Sequence, residues 1–179
     1  MVTAPSSAIS SRPIALRIRR VRDRDIAALV TLYQQAWHAA YDPVDGVAWV
    51  DSMCEHLLGG DSPLMFALRP DDIALVATRF GRILGSVRAH RLPDAAFLSG
   101  FYMLPGQTRR GIGRALFGEV LALLPADEPV LLNVRPTSTG ARSFYRGLGF
   151  REIGSGVEDL GGGHMIDVVT MRHDRGQAA

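Results

Sequence analysis

From Tyr102 to Phe117 the chain reads Tyr-Met-Leu-Pro-Gly-Gln-Thr-Arg-Arg-Gly-Ile-Gly-Arg-Ala-Leu-Phe, an apolar strand running into a turn rich in glycine and arginine that opens a helix. A helix start leaves several backbone N–H groups without a carbonyl partner, and the dipole behind them favours negative charge. Gly111 and Gly113 carry no side chain to keep a phosphate from those donors. Arg109, Arg110 and Arg114 set permanent positive charge on the rim. This is the chemistry of an anion cradle; the plainer alternative is a solvated turn with ordinary helix-start glycines. Two known phosphate motifs fit poorly. Gly106 and Gly111 have Walker A spacing, but Ile112-Gly113 stands where Lys-Ser/Thr is required. A dinucleotide fingerprint would need Gly or Ala at Leu116.

The elements around this turn can be read from periodicity. Residues 1–13 are small, polar and proline-punctuated and are expected to form a loose tail, with a further tail at 174–179 and one domain over 14–173. Alternation from Ile14 gives a half-buried strand, and Asp23 or Asp25 can cap the helix after it. Ile26, Leu29, Val30, Leu32, Tyr33 and Trp37 recur at helical spacing over 25–40. A turn at Asp42-Pro43 precedes a second helix over 47–58, closed by Gly59-Gly60. Residues 73–79 and 83–90 form two strands joined by a hairpin turn at 80–82, and 96–104 a third. A helix spans 111–124, ended by Pro125. A strand over 129–134, a short helix over 139–147 and closing strands over 149–155 and 165–172 complete the chain. The order is β-α-α-β-β-β-α-β-α-β-β, an α/β (α+β) fold on a mixed, largely antiparallel sheet flanked by helices.

Composition narrows the function classes. The 179 residues are 47% hydrophobic and 21% charged, wrong for a disordered chain and right for one core. All 20 basic residues are arginine, yet the net charge is only +2 and opposite charges interleave, so no nucleic-acid partner is expected. The single cysteine, Cys54, excludes an internal disulfide and any multi-cysteine metal site, and reads as a buried helix residue rather than a nucleophile. No metal is expected. No apolar run reaches the roughly 20 residues of a membrane span, so no membrane partner is expected. The first residues carry no charge before Arg12 and no apolar block, so no secretory signal is expected, and a cytoplasmic location is the expectation.

The turn and the helix start behind it resemble the acetyl-CoA-binding motif of the GCN5-related N-acetyltransferase (GNAT) family, Gln/Arg-x-x-Gly-x-Gly/Ala. The six residues here are Thr108-Arg109-Arg110-Gly111-Ile112-Gly113; both glycines match, and Thr108 departs from Gln/Arg, with Gln107 beside it. Gly-Ala-Arg-Ser-Phe-Tyr-Arg-Gly-Leu-Gly-Phe over 140–150 is similar to the family's Ala-x-x-x-Tyr-x-x-x-Gly-Phe signature, in the right order and spacing. The likeness spans about residues 14–173. It implies that the CoA pyrophosphate sits on the main chain of 109–114, including Ile112. It implies that pantetheine runs along the central strand at Met103 and Leu104, with Ser138 and Asn133 within reach of the cofactor. A backbone N–H among Tyr102, Met103 and Leu104 would then meet the thioester oxygen, and Tyr145 would protonate the departing thiolate. Phe144, Tyr145 and Leu148 also form an apolar stripe, so Tyr145 has a packing explanation as well.

The resemblance implies an acyl-CoA-dependent N-acetyltransferase that acetylates a primary amine of a small molecule or peptide in a ternary complex, and it allows a homodimer. The alternative is a catalytically silent acyl-CoA-binding module of the same fold. Proton removal is the open step, because a free alkyl amine is charged below about pH 10.4. Relatives often carry Glu on the central strand, where this chain has Ala95, Ala96, Phe97 and Leu98. Asp94, His90, Glu55 and the pair His164 and Asp167 are the substitutes, with a water relay as a further route. Trp37, His38, Tyr41, Asp42, Asp45, Asp51, Glu55, Glu152, Glu158 and Asp159 are the candidates for recognising a cationic acceptor.

Overall fold

Ile73 to Ala77 is an unbroken apolar run, as expected of a strand covered on both faces. In the computed structural model, which describes residues 16–60, 66 and 68–175, that strand lies inside a seven-stranded sheet. The strands are β1 (Arg17–Arg20), β2 (Ile73–Arg79), β3 (Arg82–Arg91), β4 (Ala96–Met103), β5 (Val130–Val134), β6 (Arg151–Asp159) and β7 (Met165–His173). The helices are α1 (Ile26–Asp45), α2 (Val47–Leu58), α3 (Ile112–Leu123) and α4 (Thr139–Arg146). The sheet order is β1-β2-β3-β4-β5-β7-β6, and β4–β5 is its parallel pair. Both expected tails, apart from Asp174 and Arg175, lie outside the described residues, as do positions 14 and 15 of the first strand.

Alternate residues of β2 feed two cores. Ile73, Leu75 and Ala77 meet Ile112, Leu116 and Val120 of α3 on one face. Val76 meets Leu29, Tyr33 and Trp37 of α1 and Val50 and Met53 of α2 on the other. This is the layering that the period-2 and period-3.6 patterns require when a sheet is covered on both sides.

Two local expectations are corrected. Asp42-Pro43 is not a turn: α1 continues through Pro43 to Asp45. So near a helix end proline forfeits a single backbone bond, and Gly46, at φ +84°, does the terminating while its N–H still reaches the Asp42 carbonyl at 3.1 Å. Asp25 stands at the start of α1 but its side chain does not cap it. Its carboxylate takes two hydrogen bonds from the Arg19 guanidinium, at 2.6 and 2.9 Å, and one from the Arg22 N–H at 2.9 Å. A forked pair with a guanidinium cation outcompetes a cap made to backbone N–H groups alone.

The hairpin between β2 and β3 turns on Phe80 and Gly81, both with positive φ (52° and 76°), the geometry that matches strand twist. Further along the sheet, β4 carries a bulge: Ser99 pairs with Arg88 and Tyr102 with Ser86, leaving Gly100 and Phe101 opposite Val87. The extra residue shifts the parity of the strand. Ala96 and Leu98 face the α3 core, and beyond the bulge Phe101 and Met103 do so, while Tyr102 turns to α1.

Candidate active-site cleft

The parallel partners β4 and β5 stay together for three register pairs, Ala96–Val130, Phe97–Leu131 and Leu98–Leu132, and then separate. Diverging strands leave main-chain donors and acceptors of β4 without a ladder partner on that side. A cleft of about 890 Å³ opens at the split, with walls from α1, α2, β4, the turn before α3, β5, α4, β6 and β7.

At one end of the cleft lies the glycine turn. Gly106 and Gly111 adopt φ +78° and +77°, and Arg109 itself is left-handed at +58°. Gly111 is the N-cap of α3 with no side-chain cap, and the first helical bond runs from Ala115 N–H to the Gly111 carbonyl at 3.0 Å. The earlier N–H groups therefore point outward from the helix start, a concavity of donors suited to an anion. Thr108, Arg109, Gly111, Gly113 and Arg114 line the cleft. Arg114 spends one N–H on the Gly147 carbonyl at 3.1 Å, tying α3 to the end of α4. Gly113 has a packing reason too: a Cβ there would lie 2.8 Å from Cζ of Phe144.

Of the other residues singled out from sequence, Met103, Ser138 and Tyr145 line the cleft. Arg110 is exposed outside its lining, and Ile112 is buried in the α3 core. Leu104 packs in the core under α1, and its N–H is bonded to the Leu84 carbonyl at 2.9 Å, so that donor is engaged within the sheet. Tyr145 sits between Phe101, Phe144 and Phe150, at ring separations of 6.1, 5.4 and 5.7 Å. Burial among these rings raises its phenol well above the ordinary value, so the hydroxyl keeps its proton at neutral pH. Burial raises Tyr41 and Tyr102 in the same way.

The far end of the cleft is built from α1, β5 and β6. Glu158 of β6 accepts a hydrogen bond at 3.0 Å from Asn133 Nδ2, whose Oδ1 accepts one at 2.9 Å from the Thr170 hydroxyl. Asn133 is thus committed to a carboxylate. Just past β5, Arg135 makes a forked pair with Asp45, Nη2 to Oδ1 at 2.9 Å and Nη1 to Oδ2. Its guanidinium lies over the rings of Tyr41 and Trp49, 5.2 and 5.7 Å from their centres. Sequence reading missed Arg135; its position directly after a strand that ends at the cleft was the available signal.

The proton acceptors suggested from sequence lie elsewhere. Asp94 and Glu55 are exposed outside the lining. His90 is paired across the sheet with Phe97, and burial lowers its pKa. His164 is packed between Trp49 and His56, with ring separations of 5.0 and 6.2 Å, while Asp167 is exposed on β7. Of the acceptor-side candidates, Trp37, Tyr41 and Glu158 line the cleft, and Glu152 is engaged with Arg142 and Arg146 instead. Cys54 is buried, and desolvation pushes its thiol up to about 11, which leaves it unreactive at neutral pH. A second concavity of about 840 Å³, lined by Arg17, Arg19, Arg22, Arg24, Arg79 and Arg82 around Asp25, shares no residue with the glycine turn. Among the described residues no helix is long and apolar enough to cross a membrane.

A sequence profile of the Acetyltransferase (GNAT) family matches residues 26–150. No curated protein matches the sequence. Among solved structures, the chain is similar to the PaiA N-acetyltransferase of Thermoplasma acidophilum in complex with coenzyme A, with 21% identity and a TM-score of 0.67 over 89% of this chain and 99% of that one. It is similar to the ribosomal-protein-S18-alanine N-acetyltransferase of Escherichia coli, at 19% identity and TM-score 0.65 over 92% and 97%. A GCN5-related N-acetyltransferase structure from Rhodopseudomonas palustris gives 16% identity and TM-score 0.70 over 89% and 95%.

Proposed function

Because the chain belongs to the GNAT acetyltransferase family, we propose that it transfers the acetyl group of acetyl-CoA to a primary amine of a small molecule or peptide, by direct attack in a ternary complex. The observation that carries the reading is the glycine turn at the mouth of the β4–β5 split. Main-chain N–H groups of 109–114 hold the pyrophosphate, with Arg109, Arg110 and Arg114 adding charge from the rim. Met103 and Leu104 supply the strand beside which pantetheine lies, and Ser138 lines its path. The similar Thermoplasma structure, which holds coenzyme A, supports this placement.

The unpaired side of β4 beyond Leu98 presents a backbone N–H to the thioester oxygen, so charge that develops on attack meets a fixed dipole. Tyr145 then gives its proton to the thiolate as the C–S bond breaks. The burial that raises the phenol also disfavours a bare thiolate left beside it, so the proton is drawn toward sulfur as the bond breaks. Apolar walls from Phe97, Phe101 and Val168 keep water from competing with the amine.

Calorimetry with CoA and acetyl-CoA, followed by thiol release across a panel of amines, tests the reading. The expected result is heat with both ligands and amine-dependent thiol release yielding an N-acetyl product by mass spectrometry. Absence of heat would remove the function; binding without turnover on any amine would make the chain a silent acyl-CoA-binding module.

A further inference from the structure

On becoming an amide the amine nitrogen must give up one proton, and the side chains of the cleft decide which group can take it. Among the described residues lining it, Glu158 is the one carboxylate, and no histidine lines it. Tyr41, Tyr102 and Tyr145 are held in their neutral forms by burial, so they can donate a proton at neutral pH but not accept one. Arg109, Arg114 and Arg135 are permanently charged. Ser99, Ser138, Thr108, Asn133 and Gln107 offer hydroxyls and amides, which are not bases at this pH.

Resting on the acetyltransferase reading above, we propose that Glu158 is the proton acceptor of the reaction, held toward the acceptor amine by Asn133 and Thr170. The carboxylate is partly exposed to the cleft, and Asn133 engages Oε2 at 3.0 Å. Thr170 fixes the Asn133 amide by donating to Oδ1 at 2.9 Å, which directs its NH₂ group at Glu158. Glu158 interacts with the Tyr41 phenol of α1, which also interacts with Asp45 and with Arg135 beyond β5; Arg135 in turn interacts with Asp167 of β7. Asp45 is matched to Arg135, so that pair adds little net field at Glu158.

The step balances. The neutral amine nitrogen forms the C–N bond, and the carbonyl electrons move to oxygen. The nitrogen of that adduct is positively charged and far more acidic than a free alkylammonium, so a carboxylate can take its proton, directly or through one water. The C–S bond then breaks, the thiolate takes the Tyr145 proton, and water returns the proton held by Glu158 to Tyr145. Amine and thioester have become amide and thiol.

The experiment compares kcat and amine KM of Glu158→Gln with the wild type at saturating acetyl-CoA, and adds formate to Glu158→Ala. Glutamine keeps an acceptor for Asn133, so the cleft is preserved, as an unchanged CoA affinity would verify. The expected result is a kcat lower by on the order of 10²-fold or more, little change in KM, and partial recovery of Glu158→Ala by formate. An undiminished kcat, a change confined to KM, or a loss that formate does not relieve would each overturn the role of Glu158. No turnover by the wild type on any amine would instead remove the function, and this role with it.

Discussion

Tyr33, rooted in α1 and almost fully buried, donates its hydroxyl to the carbonyl of Gly100 in the β4 bulge at 2.8 Å. Ser86 of β3 joins them, 3.2 Å from the phenol oxygen and 3.4 Å from the carbonyl. Gly100 sits at φ +57°, and a Cβ there would lie 2.3 Å from the Tyr33 oxygen. The clamp holds the carbonyl out of the ladder toward α1, and the strand beyond it reverses which side chains face which core. Tyr102 joins the Tyr33 and Trp37 rings, at 4.9 and 5.9 Å, while Phe101 turns to Tyr145.

Gly100→Ala is expected to destabilise the protein by about 2–3 kcal/mol, because a left-handed backbone and a buried clash act together. Tyr33→Phe removes the hydroxyl alone and is expected to cost about 1–2 kcal/mol. Urea unfolding measures both; a Gly100→Ala variant as stable as the wild type would mean that the bulge is not clamped.

Gly111 has open space around its Cα but a left-handed backbone. Gly111→Ala therefore tests conformation without a clash. Strain of about 1 kcal/mol or more favours turning the peptide, and with it the N–H donors, away from the cradle. CoA affinity is expected to fall roughly tenfold, the equivalent of about 1.4 kcal/mol, with little change in melting temperature. Undiminished affinity by calorimetry would show that the pyrophosphate is held elsewhere.

Tyr145→Phe keeps the ring contacts with Phe101, Phe144 and Phe150 and removes the proposed proton donor. Stability and CoA affinity are expected to change little, while kcat falls on the order of 10²-fold. Because burial raises the phenol, wild-type kcat is not expected to lose its acid catalyst anywhere between neutrality and about pH 10. Turnover by the phenylalanine variant equal to wild type at every pH would leave Tyr145 a packing residue.

The four tyrosines make stability sensitive to alkali. Burial raises Tyr33 to about 12 and raises Tyr41, Tyr102 and Tyr145 as well. A raised folded-state pKa means that folding favours the protonated phenol. This stabilisation is complete below the unfolded value of about 10 and is lost as pH climbs through the folded values. Phenolate absorbance is expected to rise together with loss of tertiary signal above about pH 10. Phenols that titrate individually in a folded chain would contradict the burial.

The sequence by itself determined the alternation of strands and helices, the hairpin at Phe80-Gly81 and the glycine turn before α3. Each is written in neighbouring residues, as apolar period, turn chemistry or missing side chains, so no distant contact is needed to read it. The family signature around Tyr145 was legible for the same reason. Tertiary structure decided the parity change in β4, since a glycine within a strand marks a bulge only once Tyr33, 67 positions away, occupies the space of its Cβ. It decided that α1 runs through Pro43, because Gly46 rather than the proline ends the helix. It also decided which acidic residue lines the cleft. Glu158 and Asn133 are 25 positions apart, and Arg135 and Asp45 are 90 apart. Local sequence gives every carboxylate the same charge, and only the crossing of β5 past β7 and β6 turns one of them into the cleft.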